Sequence, residues 1–152
     1  MLKIFPAETS EDIEIAKQLF VEYKDFLGFD LGFENFDKEL AGLPGEYGPP
    51  EGCILLATYG QKIVGCAAIK RLDDRVCEMR RLFIRPLFQG RGMGRTLAKA
   101  GIEHARKMGY HFMRLDTVMD VAKKLYLSMG FKEIAPYAYF SAKNMVFMEL
   151  KL

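Results

Sequence analysis

The residues with the clearest capacity for chemistry lie in Arg80–Arg95, RRLFIRPLFQGRGMGR. Leu82, Phe83 and Ile84 are strand formers in a row. Pro86 then ends the ladder, because it has no N–H to donate. Gln89-Gly90-Arg91-Gly92-Met93-Gly94-Arg95 follows, with glycine at alternate positions. Beyond it Leu97, Ala98, Gly101, Ile102, Ala105 and Met108 recur every three or four residues, the period of a helix. The order is therefore strand, glycine-rich turn, helix. The first N–H groups of a helix lack internal partners and carry the positive end of its dipole. Glycine lets a ligand approach them without a Cβ in the way. Such a terminus suits a phosphate or pyrophosphate, and Arg91 and Arg95 add two cations beside it. Three glycines also suit a plain tight turn. The spacing fits neither the dinucleotide fingerprint nor the P-loop.

The wider pattern is more specific. Gln89-x-x-Gly92-x-Gly94 after Leu82-Phe83-Ile84-Arg85-Pro86 resembles the acyl-CoA-binding signature of the GCN5-related N-acetyltransferase (GNAT) superfamily. Downstream, Leu115-Asp116-Thr117 and then Leu125-Tyr126-Leu127-Ser128-Met129-Gly130-Phe131 look like that family's Tyr-x-x-x-Gly-Phe element. The resemblance implies an acetyl-CoA-dependent N-acetyltransferase acting by direct transfer to a primary amine. The backbone of Gln89, Gly90, Arg91, Gly92, Met93, Gly94 and Arg95 would cradle the pyrophosphate. Leu82, Phe83 and Ile84 would offer strand-edge groups to the pantetheine arm, as in β-augmentation, and an N–H near a bulge would bind the thioester oxygen.

By the same resemblance Tyr126 is the general acid for the CoA thiolate, against a plain packing role beside Leu125 and Phe131. Glu78 is the candidate base, against a water relay or an ion pair with Arg80 or Arg81. The family often places a pantetheine contact, commonly an asparagine, in the segment that is Val118–Lys124 here, and this segment holds none. A non-catalytic acyl-CoA-binding module is the alternative function.

The chain that must position these groups has 152 residues, half of them hydrophobic and 28% charged, which suits a single domain over 1–152. Residues 1–52 would form the acceptor side and 76–131 the acyl-CoA core. No apolar run is long enough for a membrane span. The N-terminus lacks a signal-peptide core, and Cys53, Cys66 and Cys77 form no CxxC pair. Free thiols in a reducing cytoplasm are the expectation, with no metal and no catalytic cysteine.

Net charge is +2, but residues 1–52 hold 12 acidic and 4 basic residues while 53–152 hold 8 and 18. The basic half would serve polyphosphate. The acidic stretch Glu8–Glu51 would attract a cationic amine acceptor, or else form solvated helix faces. No nucleic-acid motif is present. Oligomeric state stays open, a homodimer included.

Periodicity predicts a strand at Lys3–Pro6, a helix capped by Thr9 or Ser10 and ended by Gly28, a short helix at Phe33–Leu40, and a loop at Leu43–Gly52. A hairpin follows at Cys53–Tyr59 and Lys62–Arg71, then a strand at Val76–Ile84 whose lost alternation around Met79–Leu82 points to a β-bulge. A helix at Arg95–Met108, a strand at Phe112–Thr117, a helix at Val121–Met129 and strands at Phe131–Ile134 and Asn144–Leu150 complete the reading. The fold class is α/β: a mixed, mostly antiparallel sheet with a central parallel β-α-β and flanking helices.

Overall fold

The computed structural model describes residues 1–28, 35–118, 120–137 and 145–152. Its strands are Leu2–Pro6 (β1), Cys53–Tyr59 (β2), Lys62–Arg71 (β3), Val76–Ile84 (β4), Phe112–Thr117 (β5), Lys132–Ile134 (β6) and Val146–Lys151 (β7). The helices are Ser10–Leu27 (α1), Phe36–Ala41 (α2), Met93–Lys107 (α3) and Asp120–Ser128 (α4). The strands form one sheet in the order β1-β2-β3-β4-β5-β7-β6. Every pairing is antiparallel except β4 with β5, which α3 joins as a crossover. The expected mixed sheet with a central parallel unit is therefore present. Phe33 and Asn144, the expected first residues of the second helix and the last strand, lie outside the described residues.

Local chemistry sets the ends of α1. The Thr9 side chain accepts from the Asp12 N–H, and Asp12 accepts in return from the Thr9 N–H, a capping box. Thr9, not Ser10, is thus the cap. The loop at residues 43–52 contains a single 3-10 turn, Gly45–Tyr47, that the glycine and proline content hid. The turn drops Tyr47 into the core, 2% exposed, with its ring edge-on to Phe20.

The sheet buries both faces. Toward α1 and α2 lie Ile54, Leu56, Ala68 and Phe83, packed on Ala16, Leu19 and Phe20. Toward α3 lie Ile69, Met79, Met113 and Leu115, packed on Ala98, Ile102 and Ala105. Two arginines, in β4 and just past its end, tie this strand to the α1 and α2 layer. Arg81 makes two hydrogen bonds to Glu39 of α2, at 3.1 and 3.0 Å. Arg85 makes two to Glu22 of α1, at 2.9 and 2.8 Å, and a third to the Ile63 carbonyl at 3.0 Å.

The expected bulge is present. Ala68 opposes Arg80 and Cys66 opposes Phe83, so two residues of β4, Arg81 and Leu82, stand against one of β3. Arg81 takes φ 58°, a left-handed conformation that a side chain rarely adopts. The turned backbone directs the Arg81 carbonyl at the Cys66 thiol, which donates to it at 3.3 Å. Next to the bulge, Gly65 lets the two strands close up: a Cβ there would sit 2.3 Å from the Phe83 carbonyl oxygen and 2.7 Å from the Ile84 side chain. Gly65→Ala is therefore expected to cost about 1–3 kcal/mol, the range for overpacking, because the clash is with backbone. The denaturation midpoint checks this; an unchanged midpoint would mean that β3 and β4 can separate freely there.

Candidate active site

The β4–β5 ladder covers only Val76↔Phe112, Cys77↔Met113 and Glu78↔Arg114. Beyond Glu78 the bulge turns β4 away, while β5 continues on β7 through Thr117↔Val146. The two parallel strands splay, and a cavity of about 720 Å³ fills the gap. Leu82, Phe83 and Ile84 line one wall and Leu115, Asp116 and Thr117 the other. The strand-edge groups expected to meet an extended arm thus border an opening of suitable size.

At one end of the cavity stands the N-terminus of α3. Gly92 is its cap residue, at φ 79° with no side-chain capping bond. The first amide of the helix to return to the chain is that of Thr96, which donates to the Gly92 carbonyl at 3.2 Å. The amides of Met93, Gly94 and Arg95 precede it, in the positions where a helix offers unpaired donors. A Cβ built on Gly92 meets nothing within 4 Å, so the space above the turn is open. Gly90, Gly92, Gly94 and Arg95 all line the cavity. These features fit a bound pyrophosphate.

The side chains around the turn have contacts of their own. Gln89 lines the cavity, but its side chain donates to the Ile84 carbonyl at 2.7 Å and its amide to Pro86 at 3.3 Å. It ties the turn to the end of β4, and its backbone N–H is committed within the turn. The Met93 side chain is core, packed with Leu55, Ile84 and Leu97, leaving only its backbone toward the turn. The Arg91 guanidinium stacks on the Phe88 ring at 5.7 Å and lies outside the cavity lining. Arg95 is held by α4, donating to the Ser128 hydroxyl at 2.6 Å.

Tyr126 projects from α4 into the cavity, 6% exposed, edge-on to Phe131 at 5.4 Å. Its hydroxyl makes no hydrogen bond among the described residues, yet it is not sealed off. Burial raises its pKa well above the ordinary phenol value, so the proton stays on oxygen.

At the opposite end the sheet face toward α1 presents Glu78 and Asp116 from the two splayed strands. Glu78 is 7% exposed, accepts from the Tyr137 hydroxyl at 2.6 Å, and has Arg80 Nε at 3.6 Å. Asp116 lines the cavity and is exposed to solvent there, with nearby protein shielding part of it. That shielding, and then the Glu78 charge, raise its pKa. Tyr23 reaches in from α1, pushed up to about 12 chiefly by burial. Asp116 lay within a recognised motif without a role, and Tyr137, far away in sequence, carried no local signal.

Among the described residues, three carboxylates of the acidic N-terminal stretch are committed to ion pairs with residues later in the chain. Glu22 pairs with Arg85, Glu39 with Arg81, and Glu46 with Lys70. Among the described residues, the carboxylates that line the cavity are Glu78 of β4 and Asp116 of β5. The thiols of Cys53, Cys66 and Cys77 are all held protonated by burial, Cys53 pushed up to about 11. Among the described residues no cluster could hold a metal, and no helix is long and apolar enough to cross a membrane.

The comparisons with known proteins agree with this geometry. The model of the acetyltransferase (GNAT) family matches residues 14–131. An uncharacterized N-acetyltransferase of Schizosaccharomyces pombe is 37% identical, over 99% of this chain and 95% of its own length. An acetyltransferase structure from Streptococcus agalactiae superposes with a TM-score of 0.81 at 20% identity, covering 99% of this chain and 98% of that one. The PaiA N-acetyltransferase from Thermoplasma acidophilum, in complex with coenzyme A, gives 0.78 at 19%, covering 100% and 99%. A full-length relative, a family model spanning the core, and a splayed parallel pair beside an open helix terminus lead to one conclusion: the chain belongs to the GNAT family of acetyltransferases.

Proposed function

We propose that residues 1–152 act as one domain that transfers an acetyl group from acetyl-CoA directly to a primary amine of a small molecule or peptide. One observation carries the reading: a single cavity joins the uncapped α3 terminus, the splayed edge of β4, the Tyr126 hydroxyl and the Glu78 carboxylate. Acetyl-CoA supplies the activated acyl group; the remaining work falls to the chain. The amides of Met93, Gly94 and Arg95, with the turn before them, bind the pyrophosphate, and Leu82–Ile84 bind the amide-rich arm. An N–H at the bulge polarises the acyl carbonyl.

An amine reaches the cavity as an ammonium, since its ordinary pKa is about 10.4. Two carboxylates, Glu78 and Asp116, favour that cation on arrival. Glu78 then takes its proton, directly or through a water, and the freed nitrogen attacks the acyl carbon. The C–S bond breaks with its electron pair on sulfur. The nitrogen's second proton balances the thiolate, so the net change is one amide, one thiol and one released proton.

Tyr126 cannot be a simple downhill acid. A phenol at about 10 already lies above a thiol at about 8.5, so full transfer runs uphill, and burial widens the gap. Its hydroxyl instead supplies a hydrogen bond to the sulfur as charge develops there. With all three thiols held protonated by burial, direct transfer is favoured over an acyl-cysteine route. The free cysteines also suit a cytoplasmic location.

Three measurements test the reading. Acetyl-CoA at about a hundred times its dissociation constant is expected to stabilise the fold by about 2.7 kcal/mol. Gly92→Glu, which sets an anion over the cradle, is expected to abolish that shift; a folded variant that still binds CoA would refute the cradle. Tyr126→Phe is expected to keep acetyl-CoA affinity and lose roughly tenfold or more in kcat, the scale of a hydrogen bond to a charged group. A fully active Tyr126→Phe would reduce this side chain to packing. Glu78→Gln is expected to lower kcat about 10²–10⁴-fold, the span for acid–base groups. If kcat is unchanged in that variant, the base lies elsewhere in the cavity.

A further inference from the structure

The cavity holds one cation for which the fold provides no hydrogen bond among the described residues. Lys70 bonds Glu46 at 3.3 Å, Arg81 bonds Glu39 at 3.0 Å, and Arg95 bonds Ser128 at 2.6 Å. Arg80 lines the same cavity, and its one ion contact is Glu78 at 3.6 Å, beyond hydrogen-bond length. The Arg80 side chain is only 25% exposed, so most of it is out of water while its five N–H donors await partners. The guanidinium has access to the cavity, for no side-chain nitrogen is sealed off without a partner.

We propose that the acceptor carries a carboxylate next to its reacting amine, as a free α-amino acid does, and that Arg80 binds that carboxylate. The proposal rests on the acetyl-transfer reading and names its substrate class. Register supports it: Lys70↔Glu78 and Ala68↔Arg80 are paired, so Glu78 and Arg80 point to one face, two residues apart on β4. The proposed base and the unfilled guanidinium are therefore neighbours. An ammonium at Glu78 and a carboxylate at Arg80 can belong to one molecule when a single carbon separates them. A planar guanidinium matches a carboxylate with two parallel hydrogen bonds.

The surroundings narrow the choice further. A diamine or polyamine would bring a second cation against Arg80, with Lys70 and Arg81 nearby. A phosphate, with its greater negative charge, would be repelled more strongly by Glu78 and Asp116 than a carboxylate. The expectation of a net cationic acceptor, which came from charge counting along the chain, thus gives way to a zwitterion.

The test is thiol release from acetyl-CoA by the purified protein with each standard amino acid, its primary amide, and cadaverine as a carboxylate-free amine. The best amino acid is expected to exceed its own amide in kcat/KM by about 10- to 100-fold, the scale of a hydrogen bond to a charged group. Arg80→Gln is expected to remove most of that preference by raising KM for the acid, and Arg80→Lys to restore part of it. The wild-type comparison needs no variant to fold. If amides or cadaverine are used as well as the acids, or if folded Arg80→Gln keeps the preference, the proposal is overturned while acetyl transfer stands. If acetyl-CoA stabilises the fold yet no amine of any kind is acetylated, both fall together.

Discussion

Everything at this site depends on where two parallel strands stop pairing. A strand keeps its backbone groups satisfied through its neighbours, and a buried edge without partners is costly. β4 and β5 abandon their ladder after Glu78↔Arg114, in the middle of the sheet. β4 can do so because the bulge at Arg81 turns it, and because antiparallel pairing to β3 continues on its other side through Gly65↔Ile84. β5 can do so because β7 supports it along its whole length. The gap is thus a property of the sheet, held open from both sides, and a ligand with amide groups is the natural way to complete it.

The same bulge decides the electrostatics. It places two adjacent arginines on unlike duties: Arg81 anchors α2 through Glu39, while Arg80 stays with the cavity beside Glu78. With Arg85 holding Glu22 of α1, β4 fastens the acidic N-terminal helices to the basic remainder of the chain. Partly buried pairs of this kind, with two hydrogen bonds each, hold position better than scattered surface pairs. Part of the charge asymmetry of the two halves is therefore spent on internal attachment. What faces the cavity is a small set of residues from the sheet itself.

The two ends of the cavity suit different chemistry. The α3 end offers backbone donors and a helix dipole, a setting for fixed negative charge. The opposite end offers Glu78, Asp116 and Arg80, side chains that can gain or lose protons or grip a charged acceptor. Between them Tyr126 is kept protonated by burial against Phe131. Tyr137 donates to the Glu78 carboxylate from one side and meets Phe147 of β7 edge-on from the other, so the last strand also orients the proposed base.

By itself the sequence determined what is local. Strand, glycine turn and helix follow one another within a short span, so their formers, breakers and periodicity were readable, while Glu78, Tyr126 and the cradle were marked out as candidates by resemblance to a family motif. The bulge was readable too, because Met79–Leu82 breaks alternation. The ends of α1 were written in Thr9, Asp12 and Gly28. Only the tertiary structure decided what depends on distant partners. Which carboxylates stay available was settled by ion pairs between Glu22 and Arg85, Glu39 and Arg81, and Glu46 and Lys70, none of them near in sequence. That Gln89 closes its own turn, that Tyr47 is buried within a glycine- and proline-rich loop, and that Tyr137 meets Glu78 were equally hidden. Composition counts charges, but a charge acts only where its field is not cancelled by a neighbour, and neighbours are assigned by the fold.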